Sequence, residues 1–372
     1  MQIPFVDLHA QYLSLKDGID AAIAKTIASS SFVRGPDVEA FEQEYSALMG
    51  SEHTVSCANG TDALYIAMKA LGLKPGDEVI TTAQSWISTS ETIGQHGATP
   101  VFVDIDPVTS TIDAAKIAEK ITPRTVGIIP VHIYGQMADM PTICDIAEKH
   151  NLWVIEDCAQ AHLATFEGSK AGQFGTIATW SFYPGKNLGA MGDAGAITTN
   201  DESLARHMAA FARHGGLTKG DHQMEGINSR LDGLQAAILR VKLPHLAQWT
   251  ERRRAAAARY DTLLADVAAV KAPTQVEGRE HVYHLYVIES EDRDRLAADL
   301  KSRGVPTVIN YKRALPFLPA YDHLGHSPED FPVAYRLQNR ILSLPIFAEI
   351  TREQQAYVVD SIEEAVGAAA AA

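Results

Sequence analysis

The chain has 372 residues, of which 46% are hydrophobic and 21% are charged. A chain of this length and composition can bury a substantial core and is expected to divide into two domains. Acidic residues outnumber basic residues by 46 to 32, and the resulting net charge of −14 argues against a general nucleic-acid-binding protein.

The first two thirds of the chain alternate between helical and strand-like patterns. Apolar residues recur at helical spacing from Asp37 to Met49. Six later segments are predicted as strands: "EVITT", "TPVFVDID", "VGIIPVH", "LWVIEDC", "IATWSFY" and "GAITTN". Between them, helices are predicted to begin at Thr61, Ser88, Asp113, Asp139 and Asp201. Such alternation predicts an α/β domain with a mostly parallel sheet.

One connection in this domain is too short for the parallel pattern. Only 11 residues separate Tyr183 from Gly195, and they include Pro184 and several glycines. A parallel crossover needs about a dozen residues or more, usually with a helix. The strand "GAITTN" is therefore predicted to run antiparallel to "IATWSFY".

The pattern changes after about residue 248, where a smaller α+β domain is predicted to begin. A long helix from about Thr250 to Leu264 precedes the strand "HVYHLYVIE". A helix, a short strand "PTVIN", a proline-rich loop and two more helices follow. We therefore expect a large domain over residues 1–247 and a small one over residues 248–372.

Charge and cysteine patterns bear on partners and compartment. The basic cluster Arg252–Arg254 with Arg259 lies in an alanine-rich helical run, and we interpret it as a solvated helix face. The three cysteines are widely spaced and suggest no disulfide framework, which favours a reducing cytoplasm. No signal-peptide pattern is evident, and no apolar run approaches the roughly 20 residues that span a bilayer. We expect a cytoplasmic protein with no membrane partner.

Lys186 is the first candidate for chemistry, in the loop "SFYPGKNLGAMGDAGAITTND". A Walker phosphate loop fails here, because Asn187 follows the Gly-Lys pair and Trp180 stands where the first glycine belongs. The loop also lacks the dinucleotide fingerprint G-x-G-x-x-G. Its glycines at positions 189, 192 and 195 are spaced G-x-x-G-x-x-G, and a strand rather than a helix follows them. A hairpin loop with an exposed lysine is the ordinary alternative.

Other features point to a ligand when they are taken together with this lysine. Asp157 ends an apolar strand, Asn59–Thr61 is a polar turn that opens an amphipathic helix, and Trp86 lies in a polar loop. Taken singly, these could be an acidic turn residue, a helix cap by Thr61 or Asp62, and a lid on the core. Together they supply an amine, a carboxylate, a phosphate-binding helix start and an aromatic plate. A phosphorylated pyridine aldehyde, pyridoxal 5'-phosphate (PLP), requires that set.

Several motifs resemble one protein family over almost the whole chain. "NGTDAL", "PVHIYGQMADM", "EDCAQAH", "SFYPGKNLGAMGDAGAI" and "GINSRLDGLQAAIL" resemble the DegT/DnrJ/EryC1 family, and the resemblance runs from "IPFVDL" to "LSLPIF" and "YVVDSI". These are PLP-dependent sugar aminotransferases of fold type I, in the aspartate aminotransferase superfamily. The resemblance thus implies a PLP fold-type I architecture, with a mostly parallel sheet, one antiparallel strand and a smaller C-terminal α+β domain.

The resemblance also implies roles for residues around the cofactor. Lys186 matches the lysine that forms the Schiff base, and Asp157 matches the partner of the pyridine nitrogen. Gln160 matches the residue that hydrogen-bonds the ring hydroxyl, and Trp86 falls where the family stacks an aromatic side chain on the ring.

Further matches concern the cofactor's phosphate group. Ser181 matches a phosphate-binding serine, beside Gly60 and Thr61. Asn228 matches an asparagine that reaches the phosphate from the other subunit. That match implies a homodimer with shared active sites, whereas the residue pattern by itself indicates only a polar loop residue.

The lysine at position 186 separates branches of the family. Members with histidine there resemble sugar 3-dehydratases, so Lys186 favours transamination. The resemblance implies an amino acid donor, typically glutamate, which leaves the cofactor as pyridoxamine 5'-phosphate, and a nucleotide-linked keto sugar as acceptor. The loop "PGKNLGAMGDAG" is more like members that act on 3-keto sugars. The alternatives are a 4-keto-sugar or cyclitol aminotransferase, a PLP-dependent sugar dehydratase, and a non-catalytic PLP-binding regulator.

Candidate substrate-binding residues come from two other segments and from the lysine loop. Many family members read "HYP" where this chain has Asn310-Tyr311-Lys312, which puts the usual sugar assignment in doubt. We expect substrate contacts from Tyr311, Lys312 and Arg313 in this segment. We also expect contacts from Tyr183 in the lysine loop and from His214 in the loop "FARHGG". Lys312 and Arg313 could equally meet a diphosphate or face solvent. The histidines are not clustered at metal-ligand spacing, so no metal site is expected.

Overall fold

The structure of the chain, a computed structural model, describes residues 1–370. Its helices are α1 (Leu8–Ser14), α2 (Lys16–Ser29), α3 (Pro36–Met49), α4 (Gly60–Ala70), α5 (Ser88–Gln95), α6 (Met140–His150), α7 (Glu202–Phe211), α8 (Gly233–Lys242), α9 (Leu246–Leu264), α10 (Arg293–Ser302), α11 (Pro332–Leu337) and α12 (Arg352–Ala370). No helix within this range is both long and apolar enough to cross a membrane.

The strands form a large sheet and two small ones. They are β1 (His53–Cys57), β2 (Glu78–Thr82), β3 (Thr99–Val103), β4 (Thr125–Ile129), β5 (Trp153–Asp157), β6 (Thr165–Phe166), β7 (Ser169–Lys170), β8 (Ile177–Ser181), β9 (Gly195–Thr199), β10 (Val270–Lys271), β11 (Arg279–Glu280), β12 (Tyr286–Ser290) and β13 (Ile341–Leu344). The large sheet has the order β1-β9-β8-β5-β4-β2-β3.

The topology of the large sheet confirms the predicted architecture. Strand β9 runs antiparallel to both of its neighbours, β1 and β8, and the other pairs in the sheet are parallel. The antiparallel return predicted from the 11-residue connection is therefore correct. Strand β1 was not among the predicted strands.

The large sheet is buried on both faces. On β8, Ile177 packs in one apolar cluster, whereas its neighbour Ala178 and the following Trp180 pack in another. Successive strand residues point to opposite faces, so the two clusters lie on opposite sides of the sheet. Helices cover both faces of such a sheet, which leaves the ends of its strands for a ligand.

The segment after Asp113 departs from the predicted helix. It forms two short 3-10 turns, Ala114–Lys116 and Ala118–Lys120. Ile121 is already extended, and Pro123 disfavours helical backbone at the residue before it, Thr122. The prediction of a helix here is wrong, although Ile117 still packs into the core as helical spacing would require.

The C-terminal part has less strand than predicted. The strand β12 (Tyr286–Ser290) includes only the last four residues of "HVYHLYVIE", since Tyr283 has a φ of 43° that breaks the extended chain. "PTVIN" forms no strand and makes a single bridge between Val308 and Ser343. Strands β10, β12 and β13 form an antiparallel sheet with an apolar cluster of its own. The division of the chain at residue 247 remains a prediction.

The basic cluster on α9 is not uniformly solvated. Arg253 is 5% exposed, and its Nη1 donates hydrogen bonds to the carbonyl oxygens of Tyr283 at 3.1 Å and Ile346 at 3.0 Å. Burial lowers the pKa of Arg253 to about 10. The interpretation as a solvated face is therefore wrong for this arginine, which ties α9 to the segment before β12.

The buried Arg253 provides a test of this packing. Arg253→Met keeps most of the apolar stem but leaves the two carbonyl groups without a donor. We expect a loss of about 2–4 kcal/mol in the free energy of unfolding, measured by urea denaturation at fixed protein concentration. Arg252→Met at the exposed neighbouring position is the matched control and should change it by less than about 0.5 kcal/mol. Equal effects of the two variants would show that Arg253 does not hold the segment.

Candidate active site

A cavity of about 900 Å³ lies where β5 and β8 end. Carboxyl ends of strands are where open α/β sheets bind ligands, and this volume is large enough for a cofactor together with a substrate. Among its lining residues are nine of the predicted site residues: Gly60, Thr61, Trp86, Asp157, Gln160, Ser181, Tyr183, Lys186 and Tyr311.

Asp157 is the most buried acid of the cavity, at 5% exposure, and its carboxylate is oriented from two sides. The backbone N–H of Ala159 donates to Oδ1 at 3.2 Å, and the hydroxyl of Thr89 donates to Oδ2 at 3.0 Å. Burial raises the pKa of Asp157, while these hydrogen bonds and the charge of Lys186 act in the opposite direction. The carboxylate is thus held in one orientation at the end of β5.

Lys186 extends from the short loop between β8 and β9. The loop folds back tightly: Phe182 N–H donates to Ala194 O, and Ala190 N–H donates to Phe182 O, each at 2.8 Å. Gly189 is required because a Cβ there would lie 2.2 Å from the carbonyl oxygen of Pro184. Burial lowers the pKa of Lys186 to about 8, and the charge of Asp157 opposes this shift. A substantial fraction of this amine is therefore neutral and nucleophilic near neutral pH.

The start of α4 lies directly against β8. A Cβ on Gly60 would lie 2.7 Å from the Cβ of Ser181, so only glycine permits this approach. The cap of α4 is Asn59, whose side chain accepts from Asp62 N–H at 2.8 Å. The alternative interpretation of this turn as a cap by Thr61 or Asp62 therefore does not hold. The Thr61 hydroxyl instead lies 2.7 Å from that of Ser88, beside the first free N–H groups of the helix.

Gln160 connects the cavity to the C-terminal part of the chain. Its Oε1 accepts from Tyr134 N–H at 2.6 Å, so its Nε2 is the donor, at 3.0 Å from the hydroxyl of Tyr311. The Tyr311 ring lies 5.5 Å from the ring of Trp86, which is 59% exposed. These two aromatic side chains form one wall of the cavity.

Four of the predicted site residues do not line this cavity. Asn228 and His214 are both exposed. They lie close together because Asn228 forms a β-bridge with Arg213, the residue before His214. Lys312 and Arg313 are exposed beyond Tyr311. Their predicted roles in binding phosphate or substrate therefore need a second chain or a bound substrate.

The structure adds cavity residues that were not predicted as site residues. Ser88 and Thr89 reach the cavity from the start of α5, and His284 reaches it from the segment before β12. The "STSET" run after Trp86 carried a signal, because hydroxyl side chains at a helix start are available to a ligand. His284 gave no comparable signal.

His132, Glu156 and Cys158 form a buried group of metal-ligand types within the described residues. The polar atoms of Glu156 and His132 are already engaged. Glu156 accepts hydrogen bonds from His132 and from the N–H groups of Gly172, Phe174 and Gly175, and His132 Nδ1 accepts from the N–H of Ala138. These contacts give the group a structural role in holding the end of β5.

Comparison with known proteins identifies the relatives of the chain. Residues 14–363 match the DegT/DnrJ/EryC1/StrS aminotransferase family. The chain belongs to this family. The resemblance inferred from the motifs and the prediction of an aminotransferase are therefore confirmed.

Characterised relatives cover the chain almost completely. A pleiotropic regulatory protein of Geobacillus stearothermophilus is 47% identical over 98% of each chain. The dTDP-3-amino-3,4,6-trideoxy-alpha-D-glucose transaminase of Streptomyces venezuelae is 39% identical over 98% of this chain and 96% of its own. The UDP-N-acetyl-3-dehydro-alpha-D-glucosamine 3-aminotransferase of Acidithiobacillus ferrooxidans is 42% identical over 97% of each.

Solved structures confirm the predicted fold-type I architecture. DesV of S. venezuelae, in complex with a ketimine intermediate, has a TM-score of 0.95 at 39% identity, over 98% of each chain. NtdA of Bacillus subtilis, with bound pyridoxamine phosphate, has a TM-score of 0.89 at 32% identity, over 98% of this chain and 85% of its own.

The hydroxyl of Thr89 can be tested by an isosteric change. Thr89→Val removes the hydrogen bond to Asp157 and so raises the pKa of this carboxyl further. Hydrogen bonds to charged groups contribute about 1.5–3 kcal/mol, so we expect the reaction with an amino donor to slow roughly tenfold or more, most strongly at acidic pH. The measurement is the pH dependence of that reaction by absorbance.

Thr92→Val is the matched control for this change. Thr92 is also buried on α5, but its hydroxyl donates only to the carbonyl oxygen of Ser88. The control should leave the acid limb of the profile in place. If the pH profile of Thr89→Val coincides with that of the wild type, the Thr89 hydroxyl has no role in the reaction.

The lowered pKa of Lys186 predicts its reactivity without added cofactor. Acylation of Lys186, followed by mass spectrometry, should increase with pH around a midpoint of about 8. Because the charge of Asp157 raises this pKa, Asp157→Asn should move the midpoint to lower pH. Asp193→Asn, which changes another carboxylate of the cavity wall, should not move it. A midpoint in Asp157→Asn at or above the wild-type value would contradict the proximity of the two groups.

Proposed function

We propose that this protein is a PLP-dependent aminotransferase that transfers an amino group from glutamate to a nucleotide-linked 3-keto sugar. The observation that carries the proposal is the meeting, in one cavity, of the Lys186 amine, the Asp157 carboxylate and the N-terminus of α4. These three groups come from separate segments of the chain, and their meeting in one cavity is explained by a common ligand.

The residues of the cavity fit PLP. Asp157 offers a buried, doubly oriented carboxylate for a pyridine nitrogen, and the α4 start with Ser181 offers hydroxyl and N–H donors for a phosphate. Gln160 would serve the ring hydroxyl, and Trp86 would cover the ring. When bound, PLP supplies an electron-withdrawing ring that stabilises negative charge on the carbon next to the transferred nitrogen.

Lys186 would perform the proton transfers. In its neutral form the amine can take the proton from Cα of the donor amino acid, and as an ammonium group it can return a proton to the carbon that accepts the nitrogen. Its pKa of about 8 suits both directions near neutral pH. Asp157 would keep a positive charge on the ring nitrogen, and Trp86 with Tyr311 would limit the access of water.

The substrate class rests on the relatives that are named for a reaction. Both of the named transaminases are named for nucleotide-linked sugars that carry the amino group or the ketone at carbon 3. The loop around Lys186 supports the same position, and a 4-keto sugar or a cyclitol is the alternative acceptor. Lys186 disfavours the dehydratase alternative. Because the Geobacillus relative is named as a regulatory protein, a non-catalytic role is a further alternative, and the experiment must distinguish it from transamination.

We also propose that the active enzyme is a cytoplasmic homodimer. The exposed position of Asn228, outside the cavity of its own chain, supports a contact of Asn228 of the partner subunit with the phosphate. The three cysteines are free, which suits a reducing compartment.

The experiment that tests the function is a substrate panel read by product mass. The PLP-loaded protein is incubated with glutamate and with dTDP- and UDP-linked 3-keto and 4-keto sugars. We expect 2-oxoglutarate and an amino sugar to form in equal amounts, fastest with a 3-keto sugar. Lys186→Arg, which retains the charge, is the matched control and should give neither product.

Each other outcome selects an alternative. Preference for 4-keto sugars would overturn the proposed position of the ketone, and loss of water from the sugar without a need for glutamate would indicate a dehydratase. A protein that binds PLP but consumes no glutamate with any acceptor would be a regulator rather than an enzyme.

A further inference from the structure

His284 lines the cavity although the roles assigned above do not use it. It lies in the irregular segment between β11 and β12, where the positive φ of Tyr283 turns the chain. Its imidazole is close enough to Lys186 for the lysine charge to contribute, after burial, to lowering its pKa well below the ordinary value. The ring is therefore neutral at physiological pH.

A hydrogen-bond chain fixes which ring nitrogen carries the proton. The carbonyl oxygen of Val282 can only accept, so the amide of Asn187 must point Nδ2 toward it, at 3.0 Å. Asn187 Oδ1 is then an acceptor, and it lies 3.3 Å from Nδ1 of His284. Nδ1 carries the hydrogen, and Nε2 of the neutral ring carries a lone pair.

The backbone around His284 is held from several directions. Val282 N–H donates to Gly135 O at 2.9 Å, and Leu285 N–H donates to Tyr134 O at 3.2 Å. The buried guanidinium of Arg253 binds the carbonyl oxygen of Tyr283 at 3.1 Å. A buried cation is costly to desolvate, so its use at this place indicates that the position of the segment matters.

The free lone pair of Nε2 selects its ligand. No hydrogen bond to this atom is formed by the part of the chain that the structure describes, and the ring borders the cavity. A lone pair accepts hydrogen from a donor, and it repels the carboxylates of an amino acid substrate, which also only accept. A 3-keto sugar of the kind named for the relatives, by contrast, carries a hydroxyl group on at least one carbon beside its keto carbon.

We propose that His284 binds the sugar substrate, with Nε2 accepting a hydrogen bond from a hydroxyl group next to the reacting carbon. This inference rests on the proposed aminotransferase function and adds a residue that selects the sugar but not the amino donor. Asn187 is the positioning residue that keeps Nε2 unprotonated.

The test measures sugar binding without turnover. The pyridoxamine form of the enzyme cannot react with an amino sugar, so calorimetry gives a dissociation constant for dTDP-3-amino-3,6-dideoxygalactose, which keeps the hydroxyl groups at carbons 2 and 4. A neutral hydrogen bond corresponds to a change of about three- to tenfold, and we expect the dissociation constant to rise by that factor in His284→Phe. His284→Gln, whose Oε1 can accept near the position of Nε2, should recover most of the affinity. His150→Phe, at the exposed end of α6, is the matched control and should bind as the wild type does.

A second measurement separates the sugar from the donor. The PLP form is mixed with glutamate or with the same amino sugar, and the single turnover is followed by absorbance. We expect His284→Phe to slow the reaction with the sugar while the reaction with glutamate stays within about twofold of the wild-type rate. If the phenylalanine ring lowers the melting temperature, His284→Ala replaces it, with the same expectations.

Two results would overturn the inference about His284. One is a His284→Phe enzyme that binds the amino sugar as tightly as the wild type. The other is equal slowing with glutamate and with the sugar, which would mean that His284 acts on both reactions through Lys186 instead of binding the sugar. Failure of the proposed function looks different, because the wild-type protein itself would then fail to react with the amino sugar, or with both compounds.

Discussion

The amine of Lys186 and the carboxyl group of Asp157 are buried in the same cavity, and the rest of the candidate active site is arranged around this pair of ionisable groups. Burial moves both groups toward their neutral forms, lowering the pKa of Lys186 and raising that of Asp157, while each charge favours the ionised form of the other. The balance yields an amine that gains and loses a proton near neutral pH. It also yields a carboxylate whose ionised form is favoured by the Thr89 and Ala159 hydrogen bonds.

The backbone serves this pair by bringing separate segments close together. The short return from β8 to β9 places Lys186 over the end of the sheet, and glycines at positions 60 and 189 allow contacts that a Cβ would block. Arg253 plays a comparable part in the C-terminal region, where it fixes the segment that carries His284. The site therefore depends on distant parts of the chain, and a variant far from the cavity can alter it through the position of one loop.

The sequence predicted those features that depend on local pattern and connection length. Asp157 could be placed because it ends an apolar strand, and the direction of β9 followed from a connection too short for a crossover. Thr89 and His284 could not, because their contacts involve residues 68 and 97 positions away. Arg253 could have been placed, since it lies four residues from buried Trp249 and from buried Ala257 on the inward stripe of α9. The helix after Asp113 failed because tertiary packing and Pro123 prevailed over an apolar period.

The most direct measurement of the central role of Lys186 is to trap the cofactor. The purified protein is incubated with PLP and reduced with borohydride, and its peptides are mapped by mass spectrometry. The expected result is the cofactor mass on Lys186 of the peptide that contains "SFYPGKNLGAMGDAGAITTND", at one cofactor per chain, with no such mass in Lys186→Arg. An unmodified Lys186, or a cofactor spread equally over exposed lysines, would contradict the assignment of this cavity as the catalytic site.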